Sequence, residues 1–285
     1  MTDTLARLAT ESTIRRQRRV WSRRVNTWDH HAPAGLEKVT AAVLAAADAR
    51  PGSRVVDLGC GTGQLSLPLA ERGARVLAVD VSPEMITRLE GNARDRSLPS
   101  VEGIAAPIEN LSLPAGSIDL VVTSYALHHL RDRDNARVVA AAYQWLRPGA
   151  TLVVADMMFG RGATSQDRAI IMSKVKALAR KGVGGWWRIA KNSYRYIARV
   201  QERPVSMAAW TQMLAEAGFG AITSSSVVAE AGMVIGRKPT QCLFAPADAE
   251  RLFESCLIAW AELEPDDRAP AMTGKAPIVG KAFHQ

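Results

Sequence analysis

The chain is poor in cysteine, in long apolar runs and in the signatures of phosphate, metal and acyl chemistry. Cys60, Cys242 and Cys256 are too few and too scattered for a disulfide framework, which points to a reducing compartment. No apolar run approaches the ~18 residues that a bilayer span requires. The N-terminus is charged and lacks a signal-peptide core. The chain is therefore read as cytoplasmic. No Cys/His cluster has metal-ligand spacing, so no metal site is expected. Neither a P-loop nor a G-x-S-x-G elbow occurs. No internal repeat is evident, which argues against a solenoid.

What is present suits a folded α/β protein. The 285 residues are 47% hydrophobic, enough for one α/β domain with additions or two small domains. The net charge of +8 is unevenly placed. Residues 1–24 hold seven Arg against Asp3 and Glu11. Residues 161–203 hold eleven Lys or Arg against Asp167 and Glu202. The remainder is net acidic. The two basic segments either face anionic substrates, nucleic acid or membrane headgroups, or are solvated helix faces.

The chain is organised around Val55–Gly63, Val-Val-Asp-Leu-Gly-Cys-Gly-Thr-Gly. Arg54 to Leu58 reads as a buried parallel strand. Gly59, Gly61 and Gly63 follow at alternate positions, where a backbone without Cβ atoms turns sharply and lets a ligand lie against it. Residues 63–72 read as a helix whose first N–H groups offer an anion site. A second strand, 75–80, ends in Asp80, an acid placed to accept ribose hydroxyls. A helix near 83–93 begins at Ser82 as cap, with Pro83 at its first position. Strands are expected at 101–105, 118–124 and 151–156, with a helix over 135–146 stopped by Pro148-Gly149. Such alternation means a parallel sheet with helices on both faces. A helix over 206–217 with Gly218 at its C-cap leads to two closing strands, 221–228 and 232–237.

The glycine spacing separates two nucleotide sites. A dinucleotide fingerprint needs its third glycine at position 64, which is Gln64. The pattern here is G-x-G-x-G behind Asp57. Together with Asp80, Glu109-Asn-Leu-Ser-Leu-Pro114 and Leu146-Arg-Pro-Gly149, it resembles the class I S-adenosylmethionine (SAM) methyltransferases. The likeness is greatest to those acting on ubiquinone and menaquinone precursors. It covers about 28–238. The implied fold is a doubly wound, Rossmann-like seven-stranded sheet, mostly parallel with the last strand antiparallel. N-terminal helices (1–50) precede the core (51–240), and a C-terminal helix and tail (241–285) follow it. A helical cap is expected over 160–205, where Gly182, Gly184 and Gly185 flank Trp186-Trp187.

The resemblance implies SAM as cofactor. It assigns Trp28, Asp57, Gly59, Cys60, Gly61, Gly63, Asp80, Val81, Met85, Pro107, Ile108 and Ser124 to its site. Trp28, beside Asp29, either closes over the cofactor or packs under the N-terminal helix. His30 and His31 either reach the acceptor or are solvated. Pro107 stands where the family often has an acid, so adenine recognition falls to backbone groups near Ile108. Tyr125, His128 and His129 follow the fourth strand at the rim where the methyl emerges; they are the catalytic candidates, as base or as orienting groups.

The reading is methyl transfer to an oxygen or carbon of a small, apolar or lipid-like acceptor, with peripheral membrane contact through the basic segments. One alternative is an RNA methyltransferase or RNA-binding module, although no Asn-Pro-Pro-Tyr-type motif occurs. Another is a non-catalytic SAM-binding protein. Nucleic acid is not the favoured partner.

Overall fold

The computed structural model describes residues 2–23, 25, 35–159, 168, 172, 203–240 and 278–279, with 2–11 and 278–279 as backbone only. Nine strands are described: β1 (Arg54–Leu58), β2 (Arg75–Asp80), β3 (Val101–Ala105), β4 (Leu111–Ser112), β5 (Ile118–Ser124), β6 (Leu146–Met157), β7 (Gly220–Val228), β8 (Ala231–Arg237) and β9 (Ile278–Val279). The helices are α1 (Thr2–Ser22), α2 (Leu36–Ala46), α3 (Ser66–Glu71), α4 (Pro83–Asp95), α5 (Asp132–Trp145) and α6 (Met207–Glu216).

Seven strands form one sheet in the order β3-β2-β1-β5-β6-β8-β7. The pairs from β3 through to β6 are parallel, and β8 runs antiparallel to both of its neighbours. Two apolar cores cover its faces. Val56, Leu58 and Val121 pack with α5 and α6 through Val138, Trp145, Trp210 and Leu214. Val55, Val76 and Val122 pack with α2, α3 and α4 through Val43, Leu69 and Leu89. Neighbouring β-branched residues therefore serve opposite faces, as the pleat requires.

The caps follow the sequence closely. Ser82 Oγ accepts from Met85 N at 3.3 Å with Pro83 opening α4. Gly218 takes φ 99° behind α6, with Phe219 N donating to Leu214 O at 3.1 Å. At the edge of the sheet that β5 enters, Asp119 accepts from Arg54 and Arg147 and ties three strands together. Burial raises the Asp119 carboxyl, but the hydrogen bonds from Arg54 and Arg147 outweigh that and hold it at about 2.

The order of strands reverses between β1 and β5, so a crevice opens beyond their carboxyl ends. Two elements differ from the sequence reading. The helix expected over 63–72 begins only at Ser66, because Gly63 at φ 105° closes a turn from its N–H to Cys60 O. β6 begins at Leu146, running through Pro148-Gly149 rather than after it. The cap expected over 160–205 lies outside the described residues, apart from 168, 172 and 203–205. The C-terminal helix and tail also lie outside, except that Ile278–Val279 pairs in parallel with Leu111–Ser112.

Candidate active site

A cleft of about 940 Å³, counting the open space at its mouth, lies at this crevice. Its floor is the loop after β1. Gly59, Gly61 and Gly63 all have positive φ, 77°, 54° and 105°. They are required for different reasons. A Cβ on Gly59 would fall inside the Cβ of Ala126, the residue after Tyr125. A Cβ on Gly63 would meet Leu89 at 2.6 Å and Leu67 at 2.8 Å. Gly63 is thus a packing glycine between α3 and α4 and does not line the cleft, whereas Gly59, Cys60 and Gly61 do.

Two carboxylates face the floor. Asp80 Oδ2 accepts from Gly61 N at 3.1 Å and Oδ1 from Ser82 N at 2.9 Å, so the acid shapes the loop it serves. Burial pushes its carboxyl up against those bonds. Asp57 is 1% exposed and accepts from Ser66 Oγ at 2.6 Å. Burial drives Asp57 up to about 7 despite the bond from Ser66, and the Asp80 charge adds to the rise. No basic side chain pairs with either acid among the described residues. Such a cleft is matched to a cationic ligand and opposed to a pyrophosphate. Cys60 is buried, and its thiol is raised by burial, then by Asp80 and Asp57, which suits packing and not nucleophilic attack.

The wall comes from three places. Val81 and Met85 follow β2; Pro107, Ile108 and Glu109 follow β3; Ser124 and Tyr125 end β5. Burial raises the Glu109 carboxyl, and Asp134 adds to the rise. Tyr125 is held at φ 51°, a left-handed conformation uncommon for a bulky residue, with its N–H on Ala155 O at 3.0 Å. Among the described residues its hydroxyl and Ser124 Oγ are buried without a partner, and both residues line the cleft. Burial, with Glu230 and Asp156 nearby, pushes the Tyr125 hydroxyl up to about 12, so it stays protonated.

The two histidines part company. His128 is buried with Nδ1 at 2.5 Å from Asp156 Oδ1, and its N–H donates to Asp156 Oδ2 at 2.9 Å. It does not line the cleft, and its role in this geometry is to fix the β5 turn to the end of β6. His129 lines the cleft, with its ring 5.3 Å from Trp21 at 62°. The backbone N–H of Arg203 donates to His128 O at 2.7 Å.

The roof is α1, which the sequence reading did not place at the site. Ile14, Gln17 and Trp21 of α1 line the cleft. Ser22 Oγ donates to Glu84 Oε2 at 2.5 Å, and Arg18 Nε donates to Val81 O at 3.2 Å. These bonds latch the helix beside Asp80. The available signal was Gln17 itself, a polar residue three positions after Ile14 and four before Trp21 on one apolar stripe. Trp28, with Asp29, His30 and His31, lies outside the described residues.

A family model described as a methyltransferase domain matches residues 55–149. The chain carries a methyltransferase domain. Its seven-stranded, mostly parallel sheet agrees with the fold of class I, SAM-dependent methyltransferases. A ubiquinone biosynthesis O-methyltransferase of Xanthomonas campestris is 34% identical over 140 residues, 46% of this chain and 55% of that one. An uncharacterized methyltransferase of Synechocystis is 35% identical over 107 residues, 38% of this chain and 48% of that one. The chain spans about half the length of these curated relatives. Among solved structures, a SAM-dependent methyltransferase of Aquifex aeolicus shares the fold with a TM-score of 0.53 and 17% identity, over 76% of this chain and 97% of that one. Magnesium protoporphyrin IX methyltransferase of Synechocystis, with SAM bound, gives 0.50 and 18% over 72% and 80%.

The cleft of the methyltransferase domain fits SAM on its own chemistry. Two uncompensated acids meet a ligand with a sulfonium and an amino group, and two orphaned hydroxyls await partners. A pH dependence follows. Asp57 binds its proton in the free protein below about pH 7, while a cationic ligand favours the carboxylate. The sign is therefore proton release on binding, with affinity rising with pH and levelling off above 7. SAM should bind about tenfold more weakly at pH 6 than at pH 7.5. Calorimetry in buffers of different ionisation enthalpy checks this, and pH-independent affinity would show that Asp57 does not face the cation. In the free protein the same shift lowers stability as pH rises from 4 towards 7, because the folded state holds more protons there.

Proposed function

We propose that this chain transfers the methyl group of SAM to an oxygen or carbon of a small, largely apolar acceptor. The observation that carries the transferase reading is the pair of buried, unpaired carboxylates, Asp57 and Asp80, against the glycine loop. SAM supplies a methyl group on a sulfonium whose departing thioether is neutral, so no acid is needed to expel it. The protein's task is placement, with the acceptor held in line at about 3 Å from the methyl carbon.

The acceptor class rests on the lining. Ile14, Trp21, Ala126 and Leu130 give an apolar wall, interrupted by the Ser124 and Tyr125 hydroxyls. Tyr125, protonated at neutral pH, donates a hydrogen bond that orients an acceptor oxygen. His129 is the histidine placed to take a proton from a hydroxyl acceptor. The likeness to a ubiquinone biosynthesis O-methyltransferase supports an aromatic or lipid-like acceptor. The experiment is incubation of the full chain with methyl-labelled SAM and a lysate divided into lipid, RNA and protein fractions. Label is expected in the lipid and small-molecule fraction. Label in RNA would replace this reading with a nucleic-acid methyltransferase. Binding of SAM with no label anywhere would indicate a non-catalytic binder.

A further inference from the structure

The donors in the cleft are scarcer than the acceptors. The N–H groups of Gly59 and Cys60 go to Val79 O, that of Gly61 to Asp80 and that of Gly63 to Cys60 O. The three glycines and Cys60 therefore offer no N–H to an anion. The helix behind them is six residues long and starts at Ser66. SAM nevertheless carries one anionic group, its carboxylate, and the cleft presents acids from Asp57, Asp80 and Glu109. Side chains that line the cleft can supply further donors.

Two side-chain amides line the cleft. Gln64 Nε2 is spent on Thr62 Oγ1 at 2.9 Å. Gln17, on α1, is 9% exposed. Its Oε1 accepts from Trp21 Nε1 at 3.1 Å, which fixes the orientation of the amide and turns the NH₂ group away from Trp21. Among the described residues that NH₂ has no partner. We propose that Gln17 donates it to the carboxylate of SAM, so that α1 is a cofactor-binding element and not only a roof. Trp21 is then a positioning residue, since its indole N–H sets which end of the amide faces the cleft.

This rests on the reading that the cleft binds SAM, and the test separates the two. Affinities of the full chain for SAM and for decarboxylated SAM, the same cation without its carboxylate, are measured by calorimetry. Gln17→Glu keeps an oxygen for Trp21 and replaces the donor with a negative charge. SAM should then bind roughly tenfold to a hundredfold more weakly, while decarboxylated SAM binds as well as before or better. Gln17→Ala should weaken SAM and leave decarboxylated SAM unchanged. Binding of the decarboxylated ligand also reports that each variant is folded. Equal weakening of both ligands, or of neither, overturns the role of Gln17 and leaves the cofactor reading standing. A wild-type chain that binds neither ligand overturns both.

Discussion

Replacing Gly59 by alanine should abolish SAM binding, although the change adds a single methyl group. The new Cβ would overlap the Cβ of Ala126, and at φ 77° the residue would occupy a conformation that side chains disfavour. Ala126 cannot yield easily. It lies between Tyr125, strained at φ 51° and bonded to Ala155 O, and the turn that His128 pins to Asp156. Overpacking of this kind costs about 1–3 kcal/mol, and the left-handed backbone adds roughly 1 kcal/mol more. The floor of the cleft and the β5 rim would separate. Calorimetry should find SAM affinity reduced by more than about a hundredfold, with a melting temperature lowered by several degrees. Adding Ala126→Gly should recover stability in part by removing the overlap, but not the backbone strain. Normal SAM affinity in the single variant would mean that the two rims move freely past one another.

The second large effect is expected at Asp80. Asp80→Ala removes the acid expected from the sequence to accept from the ribose hydroxyls, and also the anchor of two backbone groups, Gly61 N and Ser82 N. Hydrogen bonds to a charged acceptor contribute about 1.5–3 kcal/mol each. Losing the bonds that shape the loop together with those to the ligand should weaken SAM more than about a hundredfold. Asp80→Asn keeps the shape and one strong acceptor, so its loss should be smaller, and its loop should stay ordered. The comparison is informative because an acid that only touched the ribose would leave the free protein's stability unchanged in both variants. Thermal melts without ligand provide that measurement. Unchanged SAM affinity in Asp80→Ala would reject the assignment of Asp80 to the cofactor.

Much of this was legible in order along the chain. The boundaries of β1, β2 and β5 follow from short apolar runs rich in valine, and α4 from Ser82-Pro83, because each signal acts within a few residues. Asp57, Gly59, Gly61 and Asp80 could be placed at one site because a strand, a tight turn and the next parallel strand leave their chemistry little choice of location. The charge of the cleft followed from the same residues.

The rest depended on contacts between distant segments. Sequence spacing gave three equivalent glycines, but Ala126 on one and Leu89 on another made Gly59 part of the floor and Gly63 part of the core. Tyr-Ala-Leu-His-His read as two interchangeable histidines until Asp156, 28 residues further on, claimed His128 and left His129 to the cleft. The stripe on α1 was visible, but nothing local says what a stripe packs against. Ser22 and Arg18 reach partners some 60 residues away to set it over Asp80. The sequence by itself determined the sheet, the glycine turn and the pair of acids, because their causes are local. Which glycine, which histidine and which helix face the ligand was decided only in three dimensions, where packing and hydrogen bonds select among positions that are chemically alike.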